Sequence, residues 1–200
     1  MYLVKVLNKD SEIEGCGSFA AELIPKGTIV FYFGKDEKYI SKEEFASFTS
    51  EAKERLYKFG VEDEWSNWVI AKGDVNHSCD ANILSLFVNG IYCEIAVRDI
   101  QKGEELTIDY GLLYSSFPWS MRCNCGSSHC RGTVGSGWPV SAQVQDQWNS
   151  RINAAAKEIF TVPQPLFSCR EEKAKELARA VKSKKDPCVF PFIKFSLISK

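Results

Sequence analysis

Histidine is scarce in this 200-residue chain, which has only His77 and His129. Long apolar runs are missing, and no window approaches the about 18 residues that a membrane-crossing helix needs. The first stretch, MYLVKVLNKD, turns charged before the apolar core of a signal peptide develops. An excess of one charge is lacking too: 25 Lys and Arg face 26 Asp and Glu, for a formal net charge of -1. That balance gives no global attraction to nucleic acid or to an anionic membrane, so a charged partner must be met locally. Internal repeats and low-complexity segments are absent as well. These absences predict a globular intracellular protein, cytoplasmic or nuclear, with no direct nucleic-acid partner and no membrane. With 44% hydrophobic and 12% aromatic residues, the chain suffices for one domain, or one domain with an appendage.

Cysteine is plentiful by contrast, with eight residues at positions 16, 79, 93, 123, 125, 130, 169 and 188. A reducing compartment disfavours disulfides and leaves packing, metal binding or catalysis. Cys123, Cys125 and Cys130 crowd into CNCGSSHCRG, a glycine- and serine-rich loop that can turn three thiolates toward one point. Tetrahedral zinc needs four soft or borderline ligands, and this loop supplies three of them. Cys16, Cys93, Cys169 and Cys188 read as small packing residues.

Along the chain, YLVKVL, GCGSFAAELI and TIVFYFG read as short strands separated by glycine turns. Residues 41 to 59 switch to helical spacing, with Ser41 and Glu44 at capping-box distance and Phe45, Phe48, Ala52, Leu56 and Phe59 on one face. WSNWVIAKG resumes strand character. ILSLFV-NG-IYCEIAV predicts a hairpin, because Asn89-Gly90 suits a type I′ turn. The strand-like EELTIDYG follows. A helix is expected over 141 to 160, and a second over 169 to 184 with Ser168 and Glu171 as its capping box and Lys182, Lys184 and Lys185 at its end. DPCVFPFIKFSLI closes the chain as a strand-like tail.

Taken singly, each motif is weak: Gly15-Cys16-Gly17 alone is a turn, and His77 alone is a structural histidine. Their order carries more. EGCGSFAAELIPKGTIVFYFG is followed by VNHSCDAN, then AVRDIQKGEELTIDYG, then CNCGSSHCRG. This series, over about residues 1 to 135, resembles the SET-domain protein lysine methyltransferases that carry a zinc-binding post-SET segment. The resemblance implies a mainly β, α+β fold of several small sheets in which a C-terminal segment threads past an earlier loop. It divides the chain into a SET domain at 1–114 with a helical insertion at about 36–70, a post-SET segment at 115–135, and a helical extension at 136–200. It implies S-adenosylmethionine held by Gly15, Cys16, Gly17, Asn76 and His77, with Tyr32 bordering the pocket. Tyr110 matches the catalytic tyrosine, and Ile108 lines the substrate channel beside it, where a small aliphatic residue leaves room for more than one methyl group. Cys79 matches the cysteine that joins Cys123, Cys125 and Cys130 as the fourth zinc ligand, with His129 as the competing donor. Some family positions differ here: GDVNHSCDAN lacks the usual arginine and phenylalanine before the motif and the proline within it, Lys35 replaces a common glutamate, and Thr133 replaces an aromatic. Phe117, Trp119 or Trp138 then stands in as the aromatic lid.

The chemistry this implies is an in-line displacement that needs an aligned and unprotonated amine. A lysine titrates near ~10.4, so holding it neutral at pH 7 costs about 4 to 5 kcal/mol, which desolvation and a neighbouring sulfonium offset. A phenol with a pKa of about 10 is a poor base, so Tyr110 is expected to orient the amine while water takes the proton. The expected acceptor is a lysine of a histone tail or of a non-histone protein. Glu62, Asp63 and Glu64, with Trp65 and Trp68, would wall its groove; a solvated acidic turn is the alternative. Two other readings stand beside the enzyme: an inactive SET module that binds protein, and a zinc knuckle for RNA or protein. The knuckle lacks the flanking basic and aromatic residues of a single-strand binder.

Overall fold

The computed structural model describes residues 1–34, 37–62, 67–70, 75–113, 119–135 and 140–183, with the backbone alone at 55, 57–59 and 62. Strands β1 (Val6–Asp10), β2 (Cys16–Ala20), β3 (Ile29–Tyr32) and β4 (Lys38–Ile40) precede helices α1 (Lys42–Ala46) and α2 (Ser50–Phe59). Six further short strands follow: β5 (Gly60–Glu62), β6 (Trp68–Ile70), β7 (Asn76–His77), β8 (Ile83–Val88), β9 (Ile91–Ala96) and β10 (Thr107–Ile108). A 3-10 turn at Tyr110–Leu112 leads to β11 (Ser120–Arg122), β12 (Thr133–Gly135), α3 (Ala142–Ala156) and α4 (Glu172–Ser183). The strands form small separate sheets, ordered β1-β2, β7-β10, β11-β12, β3-β9-β8 and β4-β6-β5. This is the α+β arrangement of several small sheets expected from the sequence.

The β3-β9-β8 sheet is the centre of the molecule. Its β8–β9 hairpin turns at Asn89 (φ 52°) and Gly90 (φ 77°), the two positive angles a type I′ turn requires. Every residue of β9 is buried, because both faces of the sheet are covered. One face carries Leu84, Leu86, Cys93 and Ile95 against Trp148 and Ile152 of α3 and Leu177 and Val181 of α4. The other carries Ile83, Tyr92 and Ala96 against Val61, Val69, Leu106 and Ile108. Burying each such side chain stabilises the fold by about 1.5 to 3 kcal/mol, so α3 and α4 pack as part of the core.

Threading is visible at β10, which runs parallel to β7 with Thr107 opposite Asn76 and Ile108 opposite His77. The Ser78 amide donates to the Ile108 carbonyl at 3.0 Å. Parallel pairing requires a long connection, here the β8–β9 hairpin and the turn after it. The 3-10 turn that follows β10 therefore starts with Tyr110 beside the asparagine-histidine stretch.

The helices differ from expectation in detail. The segment expected as one helix over 41 to 59 is two, because Ser47 closes α1 and Thr49 opens α2, its side chain accepting from the Ala52 amide at 3.3 Å. The helix expected from 169 begins at Glu172. Ser168 belongs to a preceding 3-10 turn, and the cap is Glu171, whose carboxylate accepts from the Ala174 amide at 3.2 Å. Trp68 is core: it is 1% exposed and stacks on Phe45 with centroids 5.3 Å apart. The expectations for Lys35, Asp63, Glu64, Trp65, Phe117, Trp138, Lys184, Lys185, Cys188 and the strand-like tail lie outside the described residues, as does the side chain of Glu62. Among the described residues no helix is long and apolar enough to cross a membrane.

Candidate active site

Asn76 ties the glycine loop to β10. Its amide nitrogen donates to the carbonyls of Glu14 at 3.0 Å and Cys16 at 3.3 Å and to Glu105 Oε1 at 2.8 Å. Ser11 donates to both oxygens of the same carboxylate. A Cβ on Gly17 would stand 2.2 Å from Glu105 Oε1 and would displace the carboxylate that Ser11 and Asn76 bind. Gly15, at φ +49°, turns the chain so that Glu14, Gly15 and Cys16 lie exposed beside half-buried Asn76. The position at Gly15 is open, with nothing within 4 Å of where a Cβ would stand, so the backbone itself is accessible there.

Tyr110 lies next to Asn76. Its hydroxyl donates to the Val75 carbonyl at 2.7 Å, one residue before Asn76. Burial first, then the carboxylates of Glu105 and Glu94, push the phenol up to about 12, so it is protonated at neutral pH and serves as a hydrogen-bond donor or acceptor, not as a base. Ile108, buried and directly opposite His77, packs behind it in the same apolar cluster. Trp119 meets the Tyr110 ring edge-on at 6.4 Å.

His77 joins the tyrosine to the cysteines. The Tyr110 amide donates to His77 Nδ1 at 3.1 Å. That nitrogen is therefore an acceptor, the imidazole is neutral, and its proton lies on Nε2, which faces Cys79 Sγ at 3.3 Å. Burial holds the imidazole below its ordinary pKa, with Asp109 pulling the other way. The 3.7 Å approach of Nδ1 to Asp109 Oδ1 is consequently not an ion pair.

The sulfur atoms of Cys79, Cys123, Cys125 and Cys130 all lie within 4.8 Å of one another. Cys79 and Cys123 stand 3.8 Å apart, which is about the edge of a tetrahedron of thiolates around zinc at ~2.3 Å. Amides support the sulfurs: Arg131 N–H points to Cys79 at 3.3 Å and Gly132 N–H to Cys130 at 3.4 Å. Burial raises the Cys125 thiol, but the amides of Cys79 and Ser127 aimed at it outweigh that effect and it falls to about 7. His129 is exposed, bonded to Ser128 at 3.3 Å, and outside the cluster. The donor set fits zinc.

Residues 15–111 match the family described as the SET domain. The chain carries a SET domain. It is 40% identical over 88 residues to histone-lysine N-methyltransferase ASHH2 of Arabidopsis thaliana, covering 40% of this chain and 5% of that protein. It is 33% identical over 141 residues to histone-lysine N-methyltransferase Set2 of Drosophila melanogaster, covering 62% of this chain and 6% of that protein. With the human histone-lysine N-methyltransferase 2D it shares 29% over 130 residues, covering 60% and 2%. The chain thus spans a small fraction of the length of these relatives.

Within and beyond the SET domain, the structure brings Gly15, Cys16, Gly17, Asn76, His77, Ile108 and Tyr110 into one neighbourhood and adjoins the cysteine cluster to it. It places Tyr32 differently. That side chain is fully buried on the α4 side of the central sheet, and its hydroxyl donates to Glu171 at 2.5 Å.

Sequence reasoning missed Asp109, which is 1% exposed and binds groups from three parts of the chain. Its Oδ1 accepts from Arg131, which follows the last cysteine, and from the Gly111 amide at 2.9 Å. Its Oδ2 accepts from the Trp148 indole N–H of α3 at 2.9 Å. Arg131 also lies over the Trp148 ring at 5.6 Å. One carboxylate thus fixes the residue before Tyr110, the cysteine loop and the C-terminal helix together. The available signal was Trp148 itself, because a buried indole N–H needs an acceptor.

Proposed function

We propose that this SET domain transfers a methyl group from S-adenosylmethionine to the ε-amine of a lysine in a protein, either a histone tail or a non-histone protein in the nucleus or cytoplasm. The carrying observation is the junction at β7 and β10, where the exposed glycine loop, Asn76 and the Tyr110 hydroxyl meet within one residue of one another. The glycine loop, Asn76 and His77 hold the cofactor, which supplies an electrophilic methyl group. Tyr110 orients the acceptor nitrogen, and Ile108 borders the space beside it. Cys79, Cys123, Cys125 and Cys130 hold one zinc, which pins residues 123–131 beside His77. The inactive-module reading is disfavoured because a solely structural Tyr110 would not need its phenol beside the glycine loop. The zinc-knuckle reading leaves that loop unexplained.

Purified without chelator, the protein is expected to contain one zinc per chain and to bind one S-adenosylmethionine in a calorimetric titration. Because the cluster touches His77, removal of the metal should weaken cofactor binding at least about tenfold, the usual scale for loss of a site's outer support. Zinc-free protein that binds cofactor with unchanged affinity would break this coupling, and no cofactor binding at all would remove the enzyme reading.

A further inference from the structure

The cysteine cluster is assembled from two halves, with Cys79 and Cys123 44 residues apart in the chain. Cys79 stands in the turn between β7 and β8, and Cys123, Cys125 and Cys130 stand in the loop between β11 and β12. Four sulfurs within 4.8 Å of one another require both segments to be held, because ordering a loose segment on binding costs conformational entropy.

Helix α3 touches both halves. Arg151 Nη2 donates to the Ala81 carbonyl at 2.6 Å, and Nη1 lies 3.3 Å from Asp80 Oδ1, so one guanidinium grips the two residues that follow Cys79. Ala81 is 1% exposed, and a carbonyl at that depth needs a partner from the protein. Trp148, three residues earlier on the same side of the helix, donates to Asp109 Oδ2 at 2.9 Å. Oδ1 of that carboxylate accepts from Arg131, the residue after Cys130. The Arg131 amide in turn points at Cys79 Sγ. The Trp148 ring also backs Gly111, where a Cβ would stand 3.2 Å from it. One turn of α3 therefore bears on both halves of the cluster and on the residues that flank Tyr110.

Packing does not account for Arg151. Trp148, Ile152, Ala155 and Ala156 already seal α3 onto the central sheet. Arg151 instead carries its charge to the Cys79 turn, with its side chain 28% exposed. Drawing a guanidinium partly out of water is unfavourable unless its partners are fixed, so the contact holds the turn as much as the turn holds it.

We propose that α3 is a positioning element of this site: Arg151 and Trp148 clamp the Cys79 turn and the 123–131 loop together, so that the four sulfurs are preassembled beside His77. This rests on the reading of Cys79, Cys123, Cys125 and Cys130 as zinc ligands. It gives the segment beyond residue 135 a part in the site. Arg151 and Trp148 act through the segments they hold, without touching the metal.

The test is zinc affinity, measured by competition with a chromogenic chelator, in the wild type, Arg151→Gln, Arg151→Lys, Trp148→Phe and Leu177→Ala. Circular dichroism fixes a temperature at which all five are folded. Arg151→Gln cannot span Asp80 and Ala81 and should bind zinc about ten- to a hundredfold more weakly, the range for loss of a group that supports a metal ligand. Arg151→Lys keeps the charge but offers a point donor in place of a fork, so its affinity should fall between the two. Trp148→Phe releases the other half and should weaken zinc by about tenfold. Leu177→Ala opens a cavity in the core under α4 and takes no part in these contacts, so it should unfold at lower denaturant with unchanged zinc affinity. Unchanged zinc affinity in Arg151→Gln or in Trp148→Phe, or an equal loss in Leu177→Ala, overturns the clamp and leaves the zinc site standing. A wild type that binds no zinc overturns both.

Discussion

Tyr110→Phe is expected to bind S-adenosylmethionine with nearly wild-type affinity and to lose about 10²- to 10³-fold in kcat, the usual cost of removing one oriented donor from a reaction centre. The substitution keeps the ring that packs against His77 and Trp119 and deletes only the hydroxyl bonded to Val75. The Tyr110 amide still donates to His77 Nδ1, so the link to the cysteine cluster survives. Steady-state kinetics alongside calorimetric cofactor binding separate the two effects. Turnover within about twofold of wild type, a fraction of a kcal/mol, would remove Tyr110 from the chemistry.

The second large effect belongs to Asp109. Asp109→Ala is expected to destabilise the protein by about 3 to 5 kcal/mol, because it strands a partly buried guanidinium and leaves the Trp148 indole and the Gly111 amide without their acceptor. The Arg131 Nε atom is already buried without a partner, so little local compensation is at hand. Denaturant unfolding of zinc-saturated protein measures the loss. Trp148→Phe, which removes one of the bonds and keeps most of the apolar area, should cost less, about 1 to 2 kcal/mol. A loss below about 1 kcal/mol for Asp109→Ala would mean that the cluster behaves as an exposed surface pair and organises nothing.

How much of this was legible in the sequence follows from how local each signal is. Asn89-Gly90 sets its own turn through backbone angles, and VNHSCDAN and CNCGSSHCRG each carry their chemistry in a few adjacent residues. The junction of Asp109, Arg131 and Trp148 draws on three distant segments, and nothing in TIDY says that its aspartate looks toward a helix begun at Ala142. Tyr32 shows a second limit. FYFG belongs to a strand buried on both faces, so its apolar run lacks the alternation that would say which way Tyr32 points. In the structure Tyr32 faces α4, while Phe33 faces the opposite cluster. The break between α1 and α2 depended on Thr49 acting as a cap without the glutamate partner that makes such a cap readable.

The most direct measurement is methyl transfer itself: the protein incubated with isotopically labelled S-adenosylmethionine and either core histones or a protein lysate, followed by mass spectrometry that locates the label. The account predicts label on the ε-nitrogen of lysine in a protein, formed about 10²- to 10³-fold more slowly when Tyr110→Phe replaces the wild type. Label confined to a small molecule, or no label on any protein from a wild-type sample that binds the cofactor, would contradict it.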